Sequence, residues 1–212
     1  NAMGGIVIDS GRFPWFGNAK YPSLSEPSPD YNGLTFAETF GDLAFTLYSH
    51  AVSLRDLGCT QSPMNAWITL NGVETLPLRM ERHVENAQKV AGFLQQHPSV
   101  EWVSYAGLSS SPYYQLAQKY LQGKAGSVFT FGIRGGYESG LRLLEKVELF
   151  SHVSNIGDSR SLILHPASTT HRQLSDEQRL TAGAGPEVIR LSVGIESAED
   201  LIADLEQALE GL

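Results

Sequence analysis

The residue of this sequence best suited to chemistry is an arginine inside an apolar, strand-like run. Arg190 stands between Ile189 and Leu191 in the segment VIRLSV. Arginine is seldom buried without an anion beside it, and a guanidinium on a strand can hold a carboxylate through two parallel hydrogen bonds. The alternative is an arginine on the solvent side of an edge strand, since successive strand residues point to opposite faces. The pattern alone favours that alternative.

Other kinds of catalytic site find less support in the sequence. His165 and His171 flank the segment PASTT, but no third ligand lies near them, which favours surface or hydrogen-bonded histidines over a metal site. No Gly-x-Ser-x-Gly nucleophile elbow is present. The glycine-bearing turns 123–126 and 132–136 match neither a P-loop nor a dinucleotide-binding fingerprint. Anion recognition by Arg190 therefore remains as the chemistry to explain.

Composition narrows the class of protein. The 212 residues are 42% hydrophobic and 18% charged, as in a soluble globular protein. The formal charge of −8 argues against nucleic acid and anionic membranes as partners. Neither an apolar run of about 18 residues nor a secretory signal pattern occurs in the sequence. The single cysteine, Cys59, excludes an internal disulfide and fits a reducing compartment, so we expect a cytoplasmic protein.

The elements that must position Arg190 begin with helices. Apolar residues recur every 3.6 residues from Phe36 to Leu57. Ser62-Pro63 is typical of a helix start, and the pattern that follows runs to about Gln96 with interruptions near Gly72 and Pro77. Before these helices, residues 12–35 form a long loop with scattered aromatic side chains. Such a loop is either functional or a surface segment that is ordered by the packing of its aromatic side chains.

From His97 onward the hydrophobic pattern alternates between strands and helices and predicts an α/β domain, whose last helix is capped by Ser197. A capping box, Ser175 to Gln178, opens a further short helix. The predicted strands are 100–105, 127–133, 152–155, 162–164 and 188–193, and the other predicted helices are 112–121, 137–149 and 197–209.

The predicted domain organisation follows from these elements. Residues 1–3 look like a tag remnant, and residues 4–61 combine a strand at 4–11 with the loop and the first helix. Residues 62–97 are predicted as a long connecting helix and 98–212 as a compact α/β domain. The strand 4–11 needs a sheet to join, and no neighbouring strand is obvious nearby, which suggests that an upstream segment is missing.

Four stretches of the sequence, which together cover most of the chain, carry a resemblance to a known family. The stretches are GGIVIDSG, RDLGCTQSPMNAWITLNGVETLPLRMERHVENA, NIGDSRSLILHPASTTH and VIRLSVGIESAEDLIADLEQAL. They resemble the Cys/Met-metabolism family of pyridoxal-phosphate (PLP) enzymes, and most closely its O-acetylhomoserine sulfhydrylase branch. The resemblance implies the C-terminal part of an aspartate-aminotransferase-like (fold type I) enzyme, with a helical connector and a small α/β domain.

The resemblance assigns roles to three residues. The family's carboxylate-binding arginine falls on Arg190, the serine of its Ser-Leu-Gly-Gly turn on Asn155, and the threonine of its PA-x-x-TH segment on Thr170. The Asn155 amide can still donate to a carboxylate oxygen. Members of the branch are PLP-dependent transferases that form homocysteine from O-acetylhomoserine and sulfide, in methionine and cysteine biosynthesis. The implied ligand is an amino-acid substrate.

The departures from the family pattern matter as much. The family's Schiff-base lysine lies in a Ser-x-Thr-Lys motif upstream of GGIVIDSG, and none of the chain's five lysines stands in that motif. The chain alone is therefore expected to be inactive and not to bind PLP. Its partners are expected to be an N-terminal PLP-binding half and further copies of itself, because family members are tetramers. Helices 36–57 and 62–80 would supply an apolar face for self-association.

Two alternatives stay open at this point. The chain could be a non-catalytic module that keeps the small domain's carboxylate site for binding or subunit assembly. It could also be a stand-alone α/β protein that shares only the fold. Retention of both Arg190 and the segment PASTTH favours an enzyme half over a repurposed module, which would be free to lose them.

Overall fold

The structure, a computed structural model, describes residues 2–212, and Asn1 of the predicted tag remnant lies outside them. The chain divides into two compact units, one ending at Glu74 and the other spanning Thr75–Leu212. Over residues 2–212, no helix has both the length and the apolar character needed to cross a bilayer.

The first unit consists of short helical segments held together by aromatic side chains. Trp15 stacks on Phe45 with ring centroids 5.5 Å apart, and Phe36 meets Tyr48 edge-on at 5.1 Å. The aromatics of the predicted loop therefore order it by packing. The α-helices are α1 (Pro22–Ser25), α2 (Phe36–Phe40), α3 (Ala44–Tyr48) and α4 (Pro63–Glu74); 3₁₀ turns span Pro29–Tyr31 and Gly41–Leu43, and a π-helix spans Ser49–Asp56.

The predicted strand at 4–11 is wrong for this structure. Residues 4–10 form no strand, and the side chains of Ile6, Val7 and Ile8 are 77–84% exposed. A strand is stable only when its N–H and C=O groups pair with a neighbouring strand. None of the described residues provides that neighbour, so the segment joins no sheet.

Two helix predictions also need correction. The single helix predicted over 36–57 is broken, because Gly41 takes a φ of +51° that a right-handed helix cannot contain. The connector predicted over 62–97 is two helices, α4 and α5 (Leu76–Gln96), with Thr75 between them. Pro77 occupies the first turn of α5, where its missing N–H leaves no hydrogen bond unmade.

The second unit confirms the predicted α/β fold. Its four strands form one antiparallel sheet in the order β1-β2-β4-β3. The strands are β1 (Val100–Ser104), β2 (Val128–Ile133), β3 (Leu162–Leu164) and β4 (Val188–Ser192). The other helices are α6 (Tyr114–Leu121), α7 (Gly136–Lys146), α8 (Asp176–Thr181) and α9 (Ala198–Leu209), and a 3₁₀ turn spans Pro166–Ser168.

The two faces of this sheet have different environments. One face packs apolar side chains, among them Phe131, Ile189 and Leu191 at 0% exposure, against helices α5, α7 and α9. Because strand residues alternate, Thr130 and Arg190 fall on the opposite face. The core thus fixes the strand that carries the arginine, while the arginine itself stays outside the core.

The loop before β3 replaces a predicted strand. Residues 152–155 form no strand; only Ser151 makes an isolated bridge, to Leu162. The residues 152–154 are exposed, so no apolar face fixes them in a sheet. Both predicted caps are confirmed, with Ser175 and Gln178 forming a full capping box at α8 and Ser197 accepting from the Asp200 N–H at α9.

A buried carboxylate ties helix α9 to the chain that follows α7. Asp204, 8% exposed, accepts hydrogen bonds from the backbone N–H groups of Glu148, Leu149 and Phe150 at 2.8–3.2 Å. These N–H groups lie just beyond the end of α7, where the chain turns without a regular partner. A charged acceptor for several N–H groups is worth more than a neutral one.

We expect Asp204→Asn to lower the free energy of unfolding by about 2–3 kcal/mol, because one amide cannot accept what two carboxylate oxygens accept. Urea denaturation would measure the loss. The matched control is Glu206→Gln on the exposed side of the same helix, expected to change stability by less than about 0.5 kcal/mol. Equal losses in the two variants would contradict a specific role for Asp204.

Candidate functional site

Arg190 is held in place by its neighbours across the sheet. It pairs with Thr130 of β2 on one side and with Leu164 of β3 on the other. Directly paired residues of antiparallel strands place their side chains next to each other on one face. The arginine is partly buried, whereas Ile189 and Leu191 before and after it are completely buried. Its direction is therefore set by the packing of its neighbours.

The guanidinium group meets only neutral atoms. Nη1 donates to the Ser154 hydroxyl oxygen at 3.5 Å, and Nη2 donates to the Asn155 main-chain oxygen at 3.3 Å. Both distances are long for hydrogen bonds to a guanidinium. Among the ion pairs between described residues, none includes Arg190. A partly buried positive charge with neutral, distant partners has the capacity to bind an anion.

The side chain of Asn155 is engaged within its own loop. Its Oδ1 accepts from the Ile156 N–H at 2.8 Å. The pKa of the Asp158 carboxyl is lowered, mainly by hydrogen bonds from Arg160 and to a smaller extent by one from the Asn155 side chain. The Asn155 residue thus lies beside Arg190, as the sequence suggests, but it presents its main-chain oxygen rather than its amide. A role for the amide in carboxylate binding stays a prediction.

Ser154 is the residue near the arginine that the sequence reading missed. Its hydroxyl accepts from Arg190, which leaves the hydroxyl hydrogen available to donate to an anion. Ser154 directly precedes Asn155, so proximity in the sequence was the available signal. The direction of a loop side chain, however, is set by tertiary contacts that no periodicity reports.

Thr170 lies in the segment after the 3₁₀ turn at 166–168 and is exposed. Its hydroxyl is 2.9 Å from Nδ1 of His171. The hydrogen bonds described for residues 2–212 include none between Thr170 and Arg190 or Asn155. The structure therefore brings Arg190 and Asn155 together, whereas the role of Thr170 stays a prediction.

His165 anchors this segment from inside. The ring is fully buried, with Nε2 2.9 Å from the Pro186 main-chain oxygen and Nδ1 3.0 Å from the Ser168 hydroxyl. A carbonyl oxygen only accepts, so Nε2 carries the hydrogen. The Ser168 hydroxyl is also 3.2 Å from the His165 main-chain oxygen, to which it donates. Burial lowers the pKa of His165 below its ordinary value. The contacts match the hydrogen-bonded histidine that the sequence favours.

The lysines do not form a cofactor site within the chain. All five are exposed. Lys89 pairs with Glu85 at 3.0 Å, Lys124 is 3.4 Å from Glu81, and Lys146 donates to the main-chain oxygen of Glu210. A Schiff-base lysine instead needs a sheltered position where its amine is kept reactive. Among residues 2–212, the exposed lysines therefore do not fit a Schiff-base site for PLP, and binding of an amino-acid carboxylate by Arg190 stays a prediction.

The structure defines an α/β protein with a partly buried arginine whose described partners are neutral, and comparisons define the family. Residues 1–210 match the family of Cys/Met metabolism PLP-dependent enzymes, and the chain belongs to that family.

Relatives with described activities are similar along nearly the whole chain. O-acetyl-L-homoserine sulfhydrylase 1 of Thermus thermophilus is 50% identical over 98% of this chain and 49% of its own length. Homocysteine synthase of Schizosaccharomyces pombe is 46% identical over 98% of this chain and 49% of its own length. The chain thus spans about half the length of the curated relatives it matches.

A solved structure shows the same relation. The O-acetylhomoserine (thiol)-lyase of Campylobacter jejuni is 43% identical with a TM-score of 0.83, over 93% of this chain and 47% of that one. That crystal structure contains N'-pyridoxyl-lysine-5'-monophosphate, a lysine joined to the cofactor. The expected fold, part of a fold type I PLP enzyme, is confirmed.

We expect the stability of the chain to fall as the pH is lowered through 6.5, the ordinary pKa of histidine. His165 has a lowered pKa when folded, so below pH 6.5 the unfolded chain binds more protons and is favoured. Thermal unfolding from pH 7.5 to 5 would measure this. His165→Gln, which keeps a donor for Pro186, should be less stable at pH 7.5 and show a smaller loss on acidification. An unchanged pH dependence in this variant would contradict the assignment.

Proposed function

We propose that this chain is the C-terminal half of a PLP-dependent O-acetylhomoserine sulfhydrylase. In this function the enzyme converts O-acetylhomoserine and sulfide into homocysteine and acetate, as a cytoplasmic step of methionine and cysteine biosynthesis. The names of the relatives support the reaction. The observation that carries the proposal is Arg190, a partly buried arginine on a rigid strand whose described partners are all neutral.

The contribution of this chain is to bind and orient the amino-acid substrate. Arg190 has five N–H groups, of which the Ser154 and Asn155 contacts occupy two. The remaining N–H groups can hold both oxygens of an α-carboxylate, which fixes the position and rotation of the substrate. Removal of one partner from a buried, hydrogen-bonded charge pair weakens binding by about 2–5 kcal/mol.

In this proposal PLP is bound by a different part of the enzyme. The five exposed lysines offer no Schiff-base site, so we assign PLP and its lysine to an N-terminal half that this chain does not include. The isolated chain is then a binding half without catalysis.

Assembly is the second function that an observation favours. Helix α4 is apolar on several sides and exposes Met64, Trp67, Leu70 and Val73 to between 54% and 63%. Such a surface is typical of a helix that packs against another protein chain. We propose that α4 contributes to a subunit interface of a homo-oligomer.

Restoration of activity by the missing half tests the proposed reaction. A fusion of the N-terminal half of the Thermus thermophilus relative to this chain should form homocysteine from O-acetylhomoserine and sulfide. The isolated chain should form none, and PLP addition with borohydride reduction should give no stoichiometric adduct at a single lysine by intact mass. Homocysteine formation by the isolated chain, or one cleanly labelled lysine, would overturn the proposed division.

Within that fusion, Arg190→Lys should lower kcat/KM for O-acetylhomoserine by about 30-fold or more, since one ammonium cannot replace a two-point grip. The matched control is Arg134→Lys, an exposed arginine just after β2 that donates to the Pro98 main-chain oxygen. This control should keep kcat/KM within about twofold of the parent. If both substitutions had the same small effect, Arg190 would not be the carboxylate ligand.

Self-association tests the assembly proposal. Light scattering at high concentration should show dimers or larger species of the isolated chain, because α4 exposes its apolar side chains. Trp67→Glu should shift the chain towards monomer. The comparison variant is Tyr120→Glu, which changes an aromatic residue 68% exposed on α6 and should leave the association intact. A monomeric parent chain would refute the interface.

A further inference from the structure

A second carboxylate, outside the candidate site, fastens the loop that reaches Arg190. Glu196 accepts from the Ser161 backbone N–H at 2.6 Å through Oε1 and from the Ser161 hydroxyl at 2.9 Å through Oε2. The Ser161 hydroxyl oxygen in turn accepts from the Gly194 N–H at 2.7 Å. Ser161 is 0% exposed and Glu196 is partly buried. Short hydrogen bonds to a shielded carboxylate are among the stronger ones in proteins.

The surrounding backbone closes tightly around these contacts. Ile195 donates its N–H to the Ser159 main-chain oxygen at 2.9 Å. A Cβ at Gly194 would overlap both the Glu196 carboxylate and the Ser159 main-chain oxygen, so only glycine fits there. From helix α5, the buried Asn86 amide donates to the main-chain oxygens of Gly194 and Glu196 at 3.0 and 2.8 Å. We call the contacts of Ser161, Gly194 and Glu196 the Glu196 clamp.

The Glu196 clamp and the arginine site are two ends of the same pair of chain segments. Strand β4 carries Arg190 and leads directly to Gly194. The loop that carries Ser154 and Asn155 leads directly to Ser161. At one end the two segments meet through the two long contacts of Arg190, and at the other end through short contacts to one carboxylate.

The hydrogen bonds at the Arg190 end are weaker than those at the Glu196 end, so the two ends hold the loop to different degrees. The loop residues 152–156 are exposed, so the apolar core does not hold them. The contacts at 3.3–3.5 Å around Arg190 are too long to define the loop position by themselves. Backbone hydrogen bonds hold both ends of the loop, from the Ser151 N–H to the Ser161 oxygen at 3.0 Å and from the Ile195 N–H to the Ser159 oxygen at 2.9 Å. The Glu196 clamp adds the side-chain attachment between the end of the loop and the segment that follows β4.

We propose that Glu196 is a positioning residue for the carboxylate site. Through Ser161 it fixes the loop 154–160 against β4, and so sets where Ser154 and Asn155 lie beside the Arg190 guanidinium that binds the substrate carboxylate. Glu196 itself does not contact the substrate. The inference rests on the proposed function, because it assumes that Arg190 binds the carboxylate of an amino acid.

The test measures carboxylate affinity and loop position separately in the 212-residue chain. L-homoserine serves as the probe, and the Nε–Hε signal of Arg190, assigned by its loss in Arg190→Lys, reports binding by NMR. Glu196→Gln keeps the size of the side chain but turns one acceptor oxygen into an N–H₂ donor that faces Ser161. We expect it to weaken L-homoserine binding by about fivefold or more. It should also shift the backbone amide signals of Ser154 and Asn155 in the absence of the probe.

Two further variants separate positioning from general destabilisation. Ser161→Ala removes the hydroxyl from the clamp and should weaken binding in the same way as Glu196→Gln. Asp204→Asn loosens the attachment of α9 without touching the clamp, so it should unfold at a lower temperature yet bind L-homoserine like the parent chain. A loss of affinity that followed the loss of stability across all three variants would overturn a positioning role.

The outcomes also separate this inference from the proposed function. If the parent chain gives a saturable Arg190 signal with L-homoserine and Glu196→Gln binds within twofold of it, the positioning role is refuted while carboxylate binding stands. If the parent chain gives no Arg190 response, carboxylate binding by Arg190 is refuted, and the positioning role is refuted with it.

Discussion

The structure depends on one electrostatic constraint, a guanidinium fixed on an otherwise apolar strand without an anion beside it. Strand β4 has to be apolar because Ile189 and Leu191 fill the core under the helices. The alternation of the strand places Arg190 on the other face, where Thr130 and Leu164 flank it. Partial desolvation of an unpaired charge is unfavourable. The unfavourable position of this charge is therefore the reason to assign it a binding role.

The proposed carboxylate site combines a rigid strand with an exposed loop. The arginine comes from a strand whose neighbours on both sides belong to the same sheet, so its backbone position is fixed by ladder hydrogen bonds. Its other neighbours, Ser154 and Asn155, come from an exposed loop. Sites built on strands are more precise than sites built on loops, and the loop gains its precision from the contacts of Ser161 with Glu196.

Much of the fold was predictable from the sequence because local pattern and burial agree. The alternation of β2 and β4 and the capping residues Ser175 and Ser197 gave elements whose bounds differ little from those observed. The wrong predictions share a cause, since each element depends on a pairing partner or a backbone angle that the local hydrophobic pattern does not report. The strand at 4–11 lacks a partner among the described residues. The helix over 36–57 is interrupted by a positive φ at Gly41 that apolar periodicity does not report.

The candidate site also depends on tertiary contacts that the sequence pattern does not report. The apolar pattern of VIRLSV placed Arg190 on a strand, and β4 confirms that position, whereas its role came from the resemblance and stays a prediction. The resemblance also assigned Asn155 to the same site, but which atoms of Asn155 face the guanidinium depends on the turn through Ile156 and Asp158. The contacts of Ser154 and of the Glu196 clamp join residues 33 or more positions apart, and periodicity in the sequence does not report such contacts.

The chemistry of the family explains why an arginine and its cofactor lysine can lie in different halves of one enzyme. Carboxylate binding needs a permanent charge in a fixed place, and an arginine provides it at every physiological pH. Schiff-base chemistry needs an amine that is sheltered and able to lose its proton, which none of the five exposed lysines here is placed to do. The first task suits a small, rigid sheet. In the proposed function the two tasks make independent demands on the fold, and Arg190 on β4 is assigned to the first.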